Sequence, residues 1–322
     1  MKTRCRIALP LLVAALFSPS FISAQTYPAQ PVRVVVVTPP GLAPDVVGRT
    51  VFDKLAELLA HPFPVENRIG KLGTVGAAHV AKSPPDGNTI MVASATLLST
   101  AHVRKDLPYD PLRDFIGVTP LAELVMMLAV HSSAPVKSVT EFIALAKKEP
   151  GQIAYSSAGS GGASHLTAAL FASMTGIDPE HVPFRGSRAA TNALLAGEAQ
   201  FIITTIASLS THIKAGNMRP LGVTAAQRVK EFPDVPAIGE AVPGYEFTSW
   251  IAAFVPAGTP QAIVDKLNAE LKRALADPGV ASKLADRTLY PMHMTSGKFA
   301  ERLKSDYEKY GRLISKTGAK PE

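Results

Sequence analysis

Solid apolar runs alternate with amphipathic helical stretches along most of the chain, and this alternation restricts the fold more than any other feature. Strand, helix, strand, repeated, predicts parallel sheets covered by helices. The first unit is an apolar strand over 32–37, a Pro39-Pro40-Gly41 turn and a helix over 45–59. Further strands are predicted over 89–94, 153–156, 181–184, 199–204, 219–224 and 248–255. Helices are predicted over 139–148, 164–174, 187–195 and 208–214, the last ending at Gly216-Asn217. The C-terminal segment changes texture. Thr259 as a cap and Pro260 at the first helical position start a helix running to Leu275, and helices over 280–284 and 296–315 follow. A helical tail of this kind is expected to fold back onto the first α/β block.

Two apolar passages are long enough to pass between sheets, 118–130, broken by Glu123, and 248–255. Two such strands make a hinge that closes through a few backbone dihedrals. The expected organisation is α/β, with residues 25–122 and 250–322 in one domain and 123–249 in a second. A mature chain of roughly 300 residues is also what two domains require.

Lys2, Arg4 and Arg6 precede the apolar stretch 7–17, and Phe21-Ile22-Ser23-Ala24 offers small residues for cleavage, so residues 1–24 read as a secretory signal peptide cut near Ala24. Pro10 and the Ser18-Pro19-Ser20 break leave that run short of the roughly 20 apolar residues of a membrane span. The single cysteine, Cys5, lies in the leader, which excludes a disulfide or a thiolate metal site from the mature chain. A formal charge of +7 loses three with the leader and leaves +4, with lysines and arginines dispersed among acidic residues. Sparse aromatics and the absence of a basic run argue against nucleic acid. The histidines at 61, 79, 102, 131, 165, 181, 212 and 293 show no H-x-x-x-H or H-x-H spacing, so neither a metal nor another cofactor is expected.

The chemistry concentrates at strand-to-helix corners, where unpaired N–H groups and the positive end of a helix dipole receive anions. At the first corner phosphate signatures are missing, since Gly41 is the only glycine of the turn and no G-x-x-x-x-G-K-[ST] occurs. Asp45 is expected to help cap the helix there. The second corner, "YSSAGSGGASHL" over 155–166, supplies hydroxyls from Ser156, Ser157 and Ser160 and close backbone approach at Gly159, Gly161 and Gly162. A third, "VPFRGSRAA", sets Arg185 before Gly186, with Ser187 expected as the next helix cap. A fourth carries Thr204 and Thr205 out of a buried strand. Ser157 or Ser160 with His165 raises a hydrolase alternative, but no serine sits in a G-x-S-x-G elbow, and His165 reads as a helix-start or core residue. Trp250 reads as packing. In open α/β sheets ligands sit beyond the carboxyl ends of the strands. These corners therefore suggest a cleft for a small anion, with carboxylate the natural candidate.

Several separated motifs then match one family. "YPAQPVR" at 27–33, the Pro-Pro-Gly turn with Asp45, "VENRIGKLGTVGAAHVAKSPPDGNTI", "LPYDPLRDF", "SSAGSGGASHL", "HVPFRGS", "IKAGNMRPLGVT", "FPDVPAIGEAVPGYEFTSW" and "PAGTPQAIVDKLNAELKRAL" occur in order. Together they resemble the Bug-type periplasmic receptors of tripartite tricarboxylate transporters, across essentially all of the mature chain. The resemblance implies a class II periplasmic-binding (Venus-flytrap) fold, no enzymatic activity and a small organic acid held between the domains. It implies delivery of that acid to a membrane permease of the tripartite tricarboxylate type, or presentation to a membrane sensor, by a protein expected to be monomeric. The family's contact loops fall on Pro40, Gly41, Leu42 and Asp45, on Ser94 and Thr96, and on Ser156, Ser157, Gly159, Ser160, Ser164 and His165. They fall further on Arg185, Gly186 and Ser187, and on Thr204 and Thr205.

Two departures narrow the ligand. Leu42 stands where the family usually has a second glycine, adding an apolar side chain at the mouth and giving up easy access to positive φ. Thr204 stands where an aspartate often receives a ligand amino group. A carboxylate without an amino group, carrying an apolar or aromatic body, is therefore expected.

Overall fold

The structure is a computed structural model and describes residues 27–317, so the expected signal peptide lies outside the described residues. The first block comprises β1 (Arg33–Val36), α1 (Ala43–Leu59), β2 (Val65–Asn67), α2 (Thr74–Ala81), β3 (Thr89–Ser94), α3 (Thr96–Val103) and β4 (Phe115–Leu124). The second runs through β5 (Met126–His131), α4 (Val139–Lys148), β6 (Ala154–Ser157), α5 (Ala163–Thr175) and β7 (Glu180–Pro183). It ends with α6 (Ser187–Leu195), β8 (Phe201–Thr205), α7 (Ile206–Lys214) and β9 (Met218–Val223). The chain then returns with β10 (Ser249–Pro256), α8 (Gln261–Leu275), α9 (Pro278–Ala285), β11 (Leu289–Pro291) and α10 (Ser296–Thr317).

Two sheets result, ordered β11-β4-β10-β3-β1-β2 and β7-β6-β8-β5-β9. Neither is purely parallel, contrary to the expectation from alternation. β10 runs antiparallel to β3 and β4, and β5 antiparallel to β8 and β9. The reason is the crossing: β4 leaves the first sheet for the second at Val125, and β10 enters the first sheet from the second. Within each sheet a parallel trio survives, β2-β1-β3 and β7-β6-β8.

The valines of β1 are buried, as a strand covered on both faces requires. Val34 and Val36 pack with Val47, Val51, Phe52 and Leu55, the inward stripe of α1. The tail does more than return to the first block. α10 packs against β4 and α3, and also against α5 of the second block. Trp250 is fully buried, meets Phe254 and Phe299, and donates its indole N–H to Asp306 Oδ2 at 2.9 Å, which bears out its reading as a packing residue.

Local expectations shift in specific ways. The cap of α8 falls on Pro260, while the Thr259 hydroxyl donates instead to Pro256 O. Ser187 is the first residue of α6, whose cap position is Gly186. Helices α2 and α3 and strands β2 and β11 were not expected. They are short, and the sequences TVGAAHVA and TLLSTAHV alternate too little between apolar and polar to show a helical period.

The crossing is tied at Thr224. Its N–H donates to Met126 O, its Oγ1 accepts from Met126 N, and its carbonyl accepts from Phe247 N, all within 3.0 Å. Thr224→Val keeps the shape but orphans the buried Met126 N–H, with an expected loss of about 1–3 kcal/mol in urea unfolding.

Candidate functional site

The parallel trios fix where the loops go. In the first sheet the carboxyl ends of β1, β2 and β3 lie where β4 leaves and β10 enters, since Ile251 pairs with Ser94 and Ser249 with Leu124. In the second, Thr205 at the end of β8 pairs with Met126 at the start of β5, and Ser157 of β6 pairs with Pro183 of β7. All the candidate corners therefore sit at the edge where the chain crosses. A separate hollow of about 500 Å³, walled by Phe142, Leu145, Ile153 and Leu194, lies at the opposite edge and holds none of them.

In the first loop Asp45 is buried and faces the turn. Its carboxylate accepts from Gly41 N (2.8 Å), Arg49 Nε (3.0 Å) and Asn67 Nδ2 (2.8 Å), and Asn67 also donates to Thr38 O. Burial opposes the charge, but the Gly41 N–H, Asn67 and Arg49 outweigh it and hold the carboxyl below its ordinary range. Asp45 thus braces the loop with its oxygens already engaged. The amides of Leu42, Asp45 and Val46 are bonded within the turn, and prolines 39, 40 and 44 have none, which leaves Ala43 N as the open donor there among the described residues. Leu42 itself takes φ −76°, so leucine here is unstrained, with its side chain 52% exposed. Asp45→Ala strands the Gly41 and Asn67 donors and is expected to cost about 1–3 kcal/mol in chemical denaturation.

The second loop is better stocked. Ser160 N and the first-turn amides of Ala163, Ser164 and His165 have no partner among the described residues, and the Ser160 hydroxyl is free. The other hydroxyls are committed. Ser156 Oγ donates to Ala190 O (2.9 Å), Ser164 Oγ accepts from Ala158 N (2.9 Å), and Ser157 Oγ meets His181 Nε2 at 2.6 Å. Ser156 and Ser157 are fully buried. The serine–histidine pair therefore involves His181 instead of His165, and its serine is buried at the end of β6.

His165 supports the loop from below. Its Nδ1 accepts from Gly161 N (2.9 Å), its ring stacks on His181 at 3.9 Å, and its buried Nε2 has no hydrogen-bond partner among the described residues. Burial, with the nearby His181 adding to it, pushes the imidazole down to about 4. A depressed histidine favours the neutral form. Its contribution is complete above the unfolded value near 6.5 and is lost as pH falls toward 4, at most about 3 kcal/mol. Melting curves from pH 7 to 4.5 should fall more steeply for the native chain than for His165→Asn, which keeps an acceptor near Gly161 but does not titrate.

Two linked cavities lie at this edge. One, of about 460 Å³, is walled by Val37, Thr38, Pro39, Leu42, Ile69, Gly70, Leu72, Gly73, Ala93, Ser94, Thr96, Leu97 and Tyr109. The other, of about 60 Å³, lies between the blocks and joins Leu72, Thr96, Ser99, Thr100 and Val103 to residues 158–162. Neither lining contains a charged side chain among the described residues. Of the expected contact residues, Leu42, Ser94, Thr96, Gly159 and Ser160 come together here. Pro40 and Gly41 complete the adjoining turn. Arg185, Gly186 and Ser187 occupy the loop beside it, where Gly186 N donates to Ala158 O. Thr204 is buried in β8, and the Thr205 hydroxyl is bonded to Ser208 Oγ. Thr38, Ile69, Leu72, Leu97, Thr100 and Tyr109 were not among the expected residues. The glycines at 70 and 73 ahead of α2 were the available signal for the loop that carries Ile69 and Leu72.

The sequence profile described as tripartite tricarboxylate transporter family receptor matches residues 47–319. The chain belongs to this receptor family. A UPF0065 protein in the tcbD-tcbE intergenic region of Pseudomonas sp. strain P51 is 35% identical over 290 residues, 89% of this chain and 86% of the relative. The structure of R. palustris Rpa4515 with adipate is 30% identical, covers 92% of this chain and 100% of its own, and superposes with a TM-score of 0.77. Periplasmic binding protein BugD is 26% identical over 92% of this chain and 100% of its own, with a TM-score of 0.73. The two-domain α/β architecture is that of these periplasmic binding proteins. The family is one of solute-binding receptors, and its members are periplasmic.

Proposed function

We propose that the chain is a periplasmic receptor that captures a small organic carboxylate lacking an amino group and delivers it to a tripartite tricarboxylate-type permease. Residues 25–122 with 250–322 form one jaw and residues 123–249 the other, turning about the two crossings after removal of residues 1–24. The observation that carries the reading is the cleft lining itself. Thr38 and Thr100 from the first block and the unpartnered amide and hydroxyl of Ser160 from the second line cavities that hold no charged side chain among the described residues, so an anion is met by dipoles while an ammonium group finds no carboxylate. A cavity of about 460 Å³ lies in the usual range for small-molecule sites. The adipate complex of Rpa4515 adds support from a relative. The contact residues are drawn from Pro40–Leu42, Ser94, Thr96, Gly159, Ser160, the first turn of α5, and the Arg185–Ser187 and Thr204–Thr205 corners. Asp45, Ser156, Ser157 and His165 hold their loops from behind.

A thermal-shift screen with succinate, adipate, citrate, benzoate, octanoate, aspartate and glutamate tests this. Ligand at 100 times its dissociation constant adds about 2.7 kcal/mol of stability, a visible rise in melting temperature. Tight binding of aspartate or glutamate with no response to plain carboxylates would overturn the reading.

A further inference from the structure

We propose that Leu42, Ile69 and Leu72 form an apolar jaw that makes this receptor select carboxylates with an apolar body over compact polyanions. The inference rests on the receptor reading above and narrows its ligand class. Six large hydrophobic side chains are exposed among the described residues, and three of them, Leu42, Ile69 and Leu72, line the same cavity. Apolar side chains left in water at the rim of a cleft mark a surface that something covers. Leu97 and Tyr109, both buried, form further walls of that cavity.

Leu72 carries a second signature. It holds φ 62° and ψ 31°, the left-handed region that a leucine rarely occupies, with its side chain 64% exposed. An unfavourable backbone that displays an apolar group to solvent gains nothing for the free fold, and such outliers gather at ligand clamps. Leu72 also lines the smaller cavity, so it stands over both blocks.

The polar side of the cavity is small and specific. Thr38 lines it, and its buried Oγ1 has no hydrogen-bond partner among the described residues, a hydroxyl that a small side-chain rotation would turn to one carboxylate oxygen. A compact di- or tricarboxylate would turn its remaining charges toward leucine and isoleucine and lose their hydration uncompensated. A ligand with one charged end and an apolar body buries that body against the same side chains.

Calorimetric titration of the full chain with octanoate, benzoate, succinate and citrate tests the selection. Octanoate or benzoate is expected to bind at least tenfold tighter than succinate and citrate. Leu72→Gly removes the side chain and relieves the left-handed residue together, so its melting temperature should hold or rise. Its affinity for octanoate and benzoate should fall roughly tenfold, while that for succinate stays the same. Ile69→Ser should repeat the pattern. Tighter binding of succinate or citrate than of both apolar probes overturns the jaw and leaves the carboxylate receptor standing. So does octanoate and benzoate affinity within twofold of native in both variants. No binding of any of the four acids overturns both.

Discussion

Trp250→Ala is expected to lower the unfolding free energy by about 3–5 kcal/mol, the range for emptying a large aromatic from a packed core. The indole is fully buried against Phe254 and Phe299, and its N–H donates to Asp306 on α10. Truncation leaves a void and takes a donor from a carboxylate that, among the described residues, keeps Arg302, whose Nε lies 3.3 Å away. Trp250→Phe separates the two losses, since it refills most of the void and forfeits about 1–2 kcal/mol of hydrogen bonding. Trp250 is the only tryptophan, so the comparison belongs to circular dichroism in urea. A Trp250→Ala midpoint equal to the native one would mean that α10 is not anchored by this contact.

Gly161→Val is expected to reduce affinity for the tightest carboxylate of the screen by one to two orders of magnitude. Gly161 holds φ 74°, and a side-chain carbon there would stand 3.2 Å from Val103 Cγ1 on α3. The φ penalises a branched residue by roughly 1–3 kcal/mol, and the contact lies between the two blocks, where capture has to bring them together. Val103→Ala clears the space. In the double variant it should restore part of the affinity without touching the backbone strain. Native affinity in Gly161→Val would show that capture does not bring the blocks together at this point.

The broad architecture was legible because its signal is dense. The valine run of β1 and the apolar stretches of β3 and β10 stand out, and the helices that cover them carry clear apolar stripes, so most ranges agree within one or two residues. The antiparallel strands were not legible, because a strand's direction is set by which sheet the chain last left. The division of labour within the second corner was hidden for a related reason. β6 runs one residue further than expected, to Ser157, and places that serine inside the sheet against His181. One residue of strand thus turns an apparent contact hydroxyl into a support. Leu72 was invisible in another way, since its display depends on a left-handed backbone that glycine or asparagine would have advertised.

α10 gives the final consequence. It lies along α3 and also touches α5, where Lys316 Nζ donates to Ser173 Oγ at 3.1 Å. Two strands alone would define an axle free to swing. A helix fastened to the first lobe, stacked on the returning crossing at Phe247 and Trp250 and resting with its far end on α5, would under the proposed capture act as a stop and a latch, since separating the lobes must slide or break its contact with α5. Under the proposed capture, the dwell time of a bound molecule is expected to depend partly on residues it never touches. Loosening the far end of α10 should quicken escape while leaving the rate of entry nearly unchanged.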